Sequence, residues 1–278
     1  TFIDWDLLRE MEEEAAVQSL KNHGADLIIH VFPRPEIARL ARKAGIPVRM
    51  GTTNRLYHWN TCNELVRLSR RRSALHEAQL NLKLVEGITG AHTIPLQDIP
   101  SLYGLTHTEE LHSDLRALID PAKFNLIIHP KSKGSAREWG LDNFTALCRM
   151  LPPDRFNVFV SGTALEGDMI KGSGLFGLKG ITDLTGRMTL GQFISFINAC
   201  DGLVAASTGP LHLAAALGKR AVGIYPPIRP MHPGRWAPIG NNATYAVMEK
   251  ACSDCRTSNE CHCMKEISPG IIRNLLQE

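Results

Sequence analysis

Gly202-Leu203-Val204-Ala205-Ala206-Ser207-Thr208-Gly209-Pro210-Leu211-His212-Leu213-Ala214-Ala215-Ala216-Leu217-Gly218 decides the architecture of this 278-residue chain. The short apolar run Gly202 to Ala206 reads as a buried strand. A small polar turn follows, a helix begins at once over Gly209 to Leu217, and Arg220 to Tyr225 reads as the next strand. A strand that feeds a helix and then a second strand is the unit of a parallel sheet. The first N–H groups of such a helix lack partners and its dipole is positive there. Ser207, Thr208 and Gly209 are therefore equipped to hold a phosphate through hydroxyls and backbone N–H groups. The same residues also make an ordinary Ser/Thr-capped turn, and spacing alone does not choose between the two.

Working outward, the alternation continues in both directions. Before this segment, strands are predicted at Phe124–His129, Phe156–Ser161 and Ile181–Leu184, and helices at Asp142–Met150, with Asp142 as N-cap, and Leu190–Cys200, capped by Thr189. After it come a strand at Tyr245–Met248 and a last helix from Pro269, capped by Ser268. Nearer the N-terminus, helices are predicted at Glu10–Lys21, Glu36–Ala44, Leu75–Glu86 and Glu109–Ile119, with strands at Asp26–Val31 and from Val48 to Met50. At roughly 150 residues per domain the length gives about two domains. Two parallel-sheet blocks, residues 1–120 and 121–278, predict two Rossmann-like domains with ligands at the carboxyl ends of the strands.

Two more strand ends carry chemistry. His129-Pro130-Lys131-Ser132-Lys133-Gly134-Ser135-Ala136-Arg137-Glu138-Trp139 sets Ser132, Lys133 and Arg137 in a Gly/Ser loop suited to a diphosphate, or simply to solvent. Val160-Ser161-Gly162-Thr163-Ala164-Leu165-Glu166 ends in a carboxylate able to accept from a ribose diol, or merely favoured by a helix start. Gly172-Ser173-Gly174-Leu175-Phe176-Gly177 fits the dinucleotide pattern, yet no strand precedes it, which removes the case for an NAD-dependent oxidoreductase. Gly162 to Gly167 lacks the Lys-Ser/Thr of a P-loop. Asp4-Trp5-Asp6 reads as a capping segment rather than a metal pair.

Composition narrows the partners. Formal net charge is +3 and aromatics make up 6%, which excludes a nucleic-acid binder on composition and an aromatic stacking platform. No apolar run approaches the roughly 18 residues that span a bilayer. The charge is uneven: residues 1–120 hold 14 Lys or Arg against 16 acids, residues 121–278 hold 17 against 12. Within residues 39–72, Arg39, Arg42, Lys43, Arg49, Arg55, Arg67, Arg70, Arg71 and Arg72 face one acid, Glu64. That stretch is either a solvated face or a patch for an anionic partner, acidic lipid headgroups or a phosphorylated acceptor. Cys62, Cys148 and Cys200 sit in apolar patterns and read as buried thiols. Cys252, Cys255, Cys261 and Cys263 cluster; a four-thiolate zinc site competes there with a redox-labile or structural loop.

Taken together these segments resemble glycosyltransferase family 9, the ADP-heptose:lipopolysaccharide heptosyltransferases of bacteria. The residues that carry the resemblance are His129-Pro130 with Arg137 and Trp139, Ser161-Gly162 with Glu166, Leu184 to Leu190, Ser207 to Gly218, and Cys252-Ser253-Asp254-Cys255 leading to Cys263-Met264-Lys265-Glu266-Ile267-Ser268-Pro269. They span residues 120–270; residues 24–90 match more loosely. The resemblance implies a GT-B fold, two Rossmann-like domains facing a cleft, with the acceptor on the first and the nucleotide sugar on the second. The resemblance also implies that the last helix packs back on the first domain.

It further implies inverting transfer from an ADP-sugar donor to a lipid-linked saccharide acceptor at the cytoplasmic face of the inner membrane, with no metal or cofactor. By position, Ser132 and Lys133 would touch the phosphates. Arg137 stands where the family usually has a Lys that neutralises the leaving diphosphate. Glu166 would hold the ribose, Met188 would line the adenine pocket, Thr208 and Gly209 would cradle phosphate, and His212 would support that turn. Two departures stand out. Ser207 occupies a position where the family commonly has Asp in contact with the donor sugar. The family's N-terminal strand and Gly-Asp turn, the source of its catalytic base, have no counterpart after Thr1, so the first domain is expected to lack its opening strand and no general base is assigned. Transfer from another nucleotide sugar, or a non-catalytic nucleotide-sugar-binding relative, are the alternatives.

Overall fold

The computed structural model describes residues 3–70, 73–90, 93–250, 252 and 260–277. The chain divides into two compact units, residues 1–94 and 95–278.

The first unit begins with α1 (Trp5–Glu10), whose N-cap Asp4 accepts from Asp6 N–H at 2.8 Å, and α2 (Glu13–Asn22). The helix expected over Glu10–Lys21 is α2, which starts at Glu13; α1 precedes it as a separate helix, parted from it at Met11–Glu12. β1 (Leu27–Ile29), α3 (Pro35–Lys43), β2 (Val48–Thr52), α4 (His58–Thr61) and β3 (Glu64–Val66) follow, then α5 (Glu77–Leu82) and α6 (Glu86–Thr89). The three strands pair in parallel in the order β1-β2-β3. β3 was not predicted, because it lies inside the basic stretch. His76 starts α5 with a capping box: its ring accepts from Ala78 N–H while Gln79 reaches back to His76 N–H. Leu8, Ala16 and Leu40 form one small core, and Leu68, Leu80 and Leu84 another.

The second unit opens with a 3-10 turn (Leu96–Leu102) and the short α7 (Ser113–Arg116). The sequence placed the domain boundary at 120 and a helix over Glu109–Ile119. The structure divides at 94/95, and residues 109–112 are not helical. There Glu109 and Glu110 are held by the next helix layer: the Ser195 hydroxyl donates to Glu109 O at 2.7 Å and Gln192 Nε2 to Glu110 O at 3.0 Å. Then come β4 (Phe124–His129), α8 (Leu141–Met150), β5 (Phe156–Val160), α9 (Ala164–Ile170), β6 (Ile181–Asp183), α10 (Leu190–Ala199), β7 (Gly202–Ala206), α11 (Gly209–Ala216) and β8 (Arg220–Tyr225). α12 (Pro233–Trp236), β9 (Ala243–Val247), α13 (His262–Lys265) and α14 (Pro269–Gln277) complete it.

All six strands of this unit are parallel, in the order β6-β5-β4-β7-β8-β9. The chain moves outward from β4 to β6, then returns to lay β7 on the other flank of β4. The β4/β7 boundary is therefore the switch point of the sheet, where adjacent loops diverge and leave a crevice. The cores on the two faces include Trp139, Phe144 and Leu147 on one side and Phe159, Phe196 and Leu211 on the other, all almost fully buried. Each such side chain contributes roughly 1.5–3 kcal/mol.

Thr189 caps α10 and Ser268 caps α14 as expected. α8 differs: its N-cap is Gly140 at φ 101°, and Asp142 sits in the first turn. α14 packs against α8, β8 and β9, and Arg220 Nε donates to Leu275 O at 2.8 Å. Cys62, Cys148 and Cys200 are buried, and burial pushes the Cys148 thiol up to about 12.

Candidate functional site

At the switch point, a cavity of about 640 Å³ lies beyond the carboxyl ends of β4, β5, β6 and β7. The predicted residues Ser132, Lys133, Glu166, Met188, Thr208 and Gly209 all line it. A smaller cavity of about 340 Å³ shares Ser135, Thr208 and Gly209 with the first and holds the predicted Arg137, Ser207 and His212 beside Trp236. A third, of about 690 Å³, lies across the loop at Gly140–Asn143 and contains only Ser132 of the predicted set.

The loop after β4 is tied from within. Ser132 N–H donates to Glu138 Oε1 at 3.1 Å, and the Ser132 hydroxyl reaches Ala136 O at 3.0 Å and Glu138 Oε1 at 3.2 Å. Lys131 pairs with Glu138 at 2.5 Å, and Trp139 Nε1 donates to Ile267 O at 2.9 Å. Ser132 is buried, so its hydroxyl braces the loop and its one proton is engaged internally. Lys133 then takes φ 48°, a left-handed conformation that L side chains pay to adopt, and Gly134 follows at φ 77°. These two residues turn the exposed Lys133 ammonium onto the cavity rim.

Glu166 and Thr163 form a capping box at the start of α9. Thr163 N–H donates to Glu166 Oε2 at 2.8 Å, the Thr163 hydroxyl donates to the same oxygen at 3.0 Å, and Glu166 N–H donates back at 3.3 Å. Burial pushes the Glu166 carboxyl up, but the Thr163 bonds, with His129 and Lys133 nearby, outweigh it and hold the group below its ordinary value. Its bonds to Thr163 run through Oε2, and the residue lines the cavity, so Oε1 is the oxygen not engaged by the cap. The capping and ligand readings of this acid therefore describe two oxygens of one group.

Thr208 is the N-cap of α11 by backbone conformation, yet its hydroxyl makes no cap bond. It is 6% exposed and its Oγ1 has no partner among the described residues. A buried hydroxyl with no partner, beside the Gly209 N–H at the start of α11, is a donor set suited to an acceptor; Pro210 has no N–H and Leu211 N–H donates to Thr208 O. Met188, with Leu184, Leu190 and Phe193, supplies the apolar wall.

Sequence reasoning quoted His129 and Ser161 without giving them a task. His129 ends β4 at the switch point; its Nδ1 lies 2.9 Å from Ser161 Oγ and its ring stacks on Phe193. Burial lowers its pKa, against the pull of Glu166, which disfavours the charged ring in the cavity wall. Its place as the last residue of a buried strand was the available signal.

Cys255 lies outside the described residues, so the four-cysteine cluster is not described as a whole; Cys261 and Cys263 are buried and Cys252 is half-buried. Among the described residues no group of three or more His, Cys, Asp or Glu is placed to hold a metal. No described helix is long and apolar enough to cross a membrane.

The fold places the chain among α/β proteins that bind ligands beyond the carboxyl ends of parallel strands. The family model of glycosyltransferase family 9 (heptosyltransferase) matches residues 14–265, and the chain belongs to that family of glycosyltransferases. A Haemophilus influenzae protein with the provisional name glycosyltransferase is 28% identical over 237 residues, 81% of this chain and 67% of that protein. The lipopolysaccharide core heptosyltransferase OpsX of the same organism is 23% identical over 125 residues, 44% of this chain and 35% of its own length. The fold matches GT-B heptosyltransferase structures. E. coli ADP-heptose LPS heptosyltransferase II aligns at a TM-score of 0.69 and 19% identity over 96% of this chain and 80% of that one. E. coli heptosyltransferase WaaC with ADP aligns at 0.69 and 18%, over 95% and 76%.

Proposed function

We propose that this glycosyltransferase moves a heptose or similar sugar, with inversion, from an ADP-sugar to a lipid-linked lipopolysaccharide core saccharide at the cytoplasmic face of the inner membrane. One observation carries the reading: Lys133, Glu166, Thr208, whose hydroxyl has no partner among the described residues, and Gly209 at the start of α11 line one cavity, and Arg137 lines its neighbour. These groups match a nucleoside diphosphate part by part. The carboxylate accepts from the ribose diol, Met188 and Leu190 flank the base, and the cations and helix start receive the phosphates.

Breaking the anomeric C–O bond loads negative charge onto the departing diphosphate. Arg137, Lys133 and the Gly209 N–H stabilise that charge where it develops, without a metal or other cofactor. The acceptor hydroxyl must give its proton to a base, preferably a carboxylate. No residue of this chain is assigned that role. Arg137→Ala combined with Glu166→Ala should abolish ADP binding in calorimetry, and unchanged affinity would refute the donor site. Ser207 sets a neutral hydroxyl in the smaller cavity, which favours a second reading, a donor other than ADP-heptose. Assay of ADP-, UDP- and GDP-sugars side by side separates the two.

A further inference from the structure

His129 is the last residue of β4, the strand at the switch point. Its register partner on β7 is Ala205, just ahead of the turn to Thr208, and Ser161 follows the β5 residue that pairs with Ile128. The residue therefore stands between the strand ends that lead to Glu166 and to the start of α11. It lines the same cavity as Lys133, Glu166, Thr208 and Gly209. The ring stacks on Phe193, and Nδ1 lies 2.9 Å from Ser161 Oγ. Nε2 bonds no described residue, yet it is not sealed from the surface as the Nε2 atoms of His30 and His58 are. Ser161 is buried, and its hydroxyl has a second neighbour, Ile128 O at 3.3 Å. With its proton turned to Nδ1 it serves a neutral ring. With its proton given to Ile128 O it accepts from Nδ1–H, as a charged ring requires. The contact thus accommodates both protonation states.

We propose that His129 is a donor-contacting residue: Nε2 meets the diphosphate of the bound nucleotide, and the ring takes up a proton from solvent as that anion binds. Burial disfavours the charged ring, and Glu166, the charge that acts on it, pulls the other way. A diphosphate seated against the ring adds to that pull, because a nearby anion favours the protonated form. Lys133 on the cavity rim and Arg137 in the neighbouring cavity oppose it; Phe193 from α10 and Thr208 from α11 bring no charge. ADP, the product, carries one more negative charge than an ADP-sugar. The charged ring therefore favours the departing group over the intact donor, which is the differential that lowers a barrier. The inference rests on the donor reading of the cavity.

The test is calorimetry of ADP binding to the full chain near pH 7 in buffers of different ionisation enthalpy. The slope of observed enthalpy against buffer enthalpy counts the protons taken up. Wild type should take up a fraction of a proton more than His129→Gln, whose amide keeps a donor but does not titrate. The proton that ADP itself exchanges is common to both and cancels in the difference. The ratio of wild-type to variant affinity should rise as pH falls from 8 to 6, by at most about tenfold per pH unit. Should His129→Gln melt early, Ser161→Ala, which removes the acceptor at Nδ1, should cut the uptake. In the wild-type chain, the His129 ring resonance should titrate at higher pH with ADP than without it. Equal uptake in wild type and variants, or a His129 titration that ADP leaves in place, overturns the inference while ADP still binds. No saturable binding by wild type refutes the donor reading, and this inference with it.

Discussion

Glu166 gives one carboxylate oxygen, Oε2, to the N–H and hydroxyl of Thr163, and both residues line the switch-point cavity. The cap orients the acid, and the acid's pKa stays low because of the cap. Glu166→Ala should therefore cost on both counts: about 1 kcal/mol of stability from the lost cap and roughly tenfold in ADP affinity from the lost ribose acceptor. Held below its ordinary value, the carboxyl is ionised above the usual carboxylate range, so its contribution is present there and is lost as pH falls through the lowered folded value. Melting and calorimetry at pH 5 and pH 7 read both effects.

Thr208→Val separates stability from binding. The methyl replaces a buried hydroxyl that has no partner, so the folded chain should hold its melting temperature or gain slightly. The affinity for ADP should fall by about 1 kcal/mol, because the ligand loses a buried donor. Lost stability at unchanged affinity would place that hydroxyl in the fold and not in the site.

Lys133→Gly tests the same division from the loop. Glycine relieves the φ of 48°, so stability should be unchanged or rise by up to about 1 kcal/mol, while loss of the ammonium weakens ADP binding. Lys133→Asn, which tolerates the left-handed region, should match it in affinity. Denaturant midpoints and calorimetry check the pair.

The first unit should be acid-labile. Burial, with His58 adding to it, lowers the His30 pKa from 6.5 to about 4. Between those values the unfolded chain binds a proton that the folded chain does not. Stability therefore falls as pH drops from 6.5 toward 4, by at most about 1.4 kcal/mol per pH unit for this group. Urea midpoints across that window should show the slope, and His30→Gln should flatten it.

Much of this site was legible because its residues belong to local patterns. The strand, polar turn and helix of 202–217 follow from apolar run and cap chemistry, and the strand–loop–helix pieces that place Lys133, Glu166 and Thr208 have the same local logic. What failed to show was tertiary. β3 is a three-residue strand in a polar segment, defined by its pairing with β2. The boundary at Ile94 follows from Gln192 and Ser195 bonding Glu109 and Glu110, which no periodicity announces. Ser132 looked like a phosphate ligand because its type and loop were right, but the hydroxyl's partner, Glu138, lies back inside the same loop.

The central claim is that the β4/β7 crevice is the donor site of a nucleotide-sugar transferase. Titration of ADP into the wild-type chain and into Arg137→Ala/Glu166→Ala tests it most directly. Saturable wild-type binding that disappears in the double variant, with the fold retained by circular dichroism, is the predicted result. Equal affinity in the two proteins would contradict it.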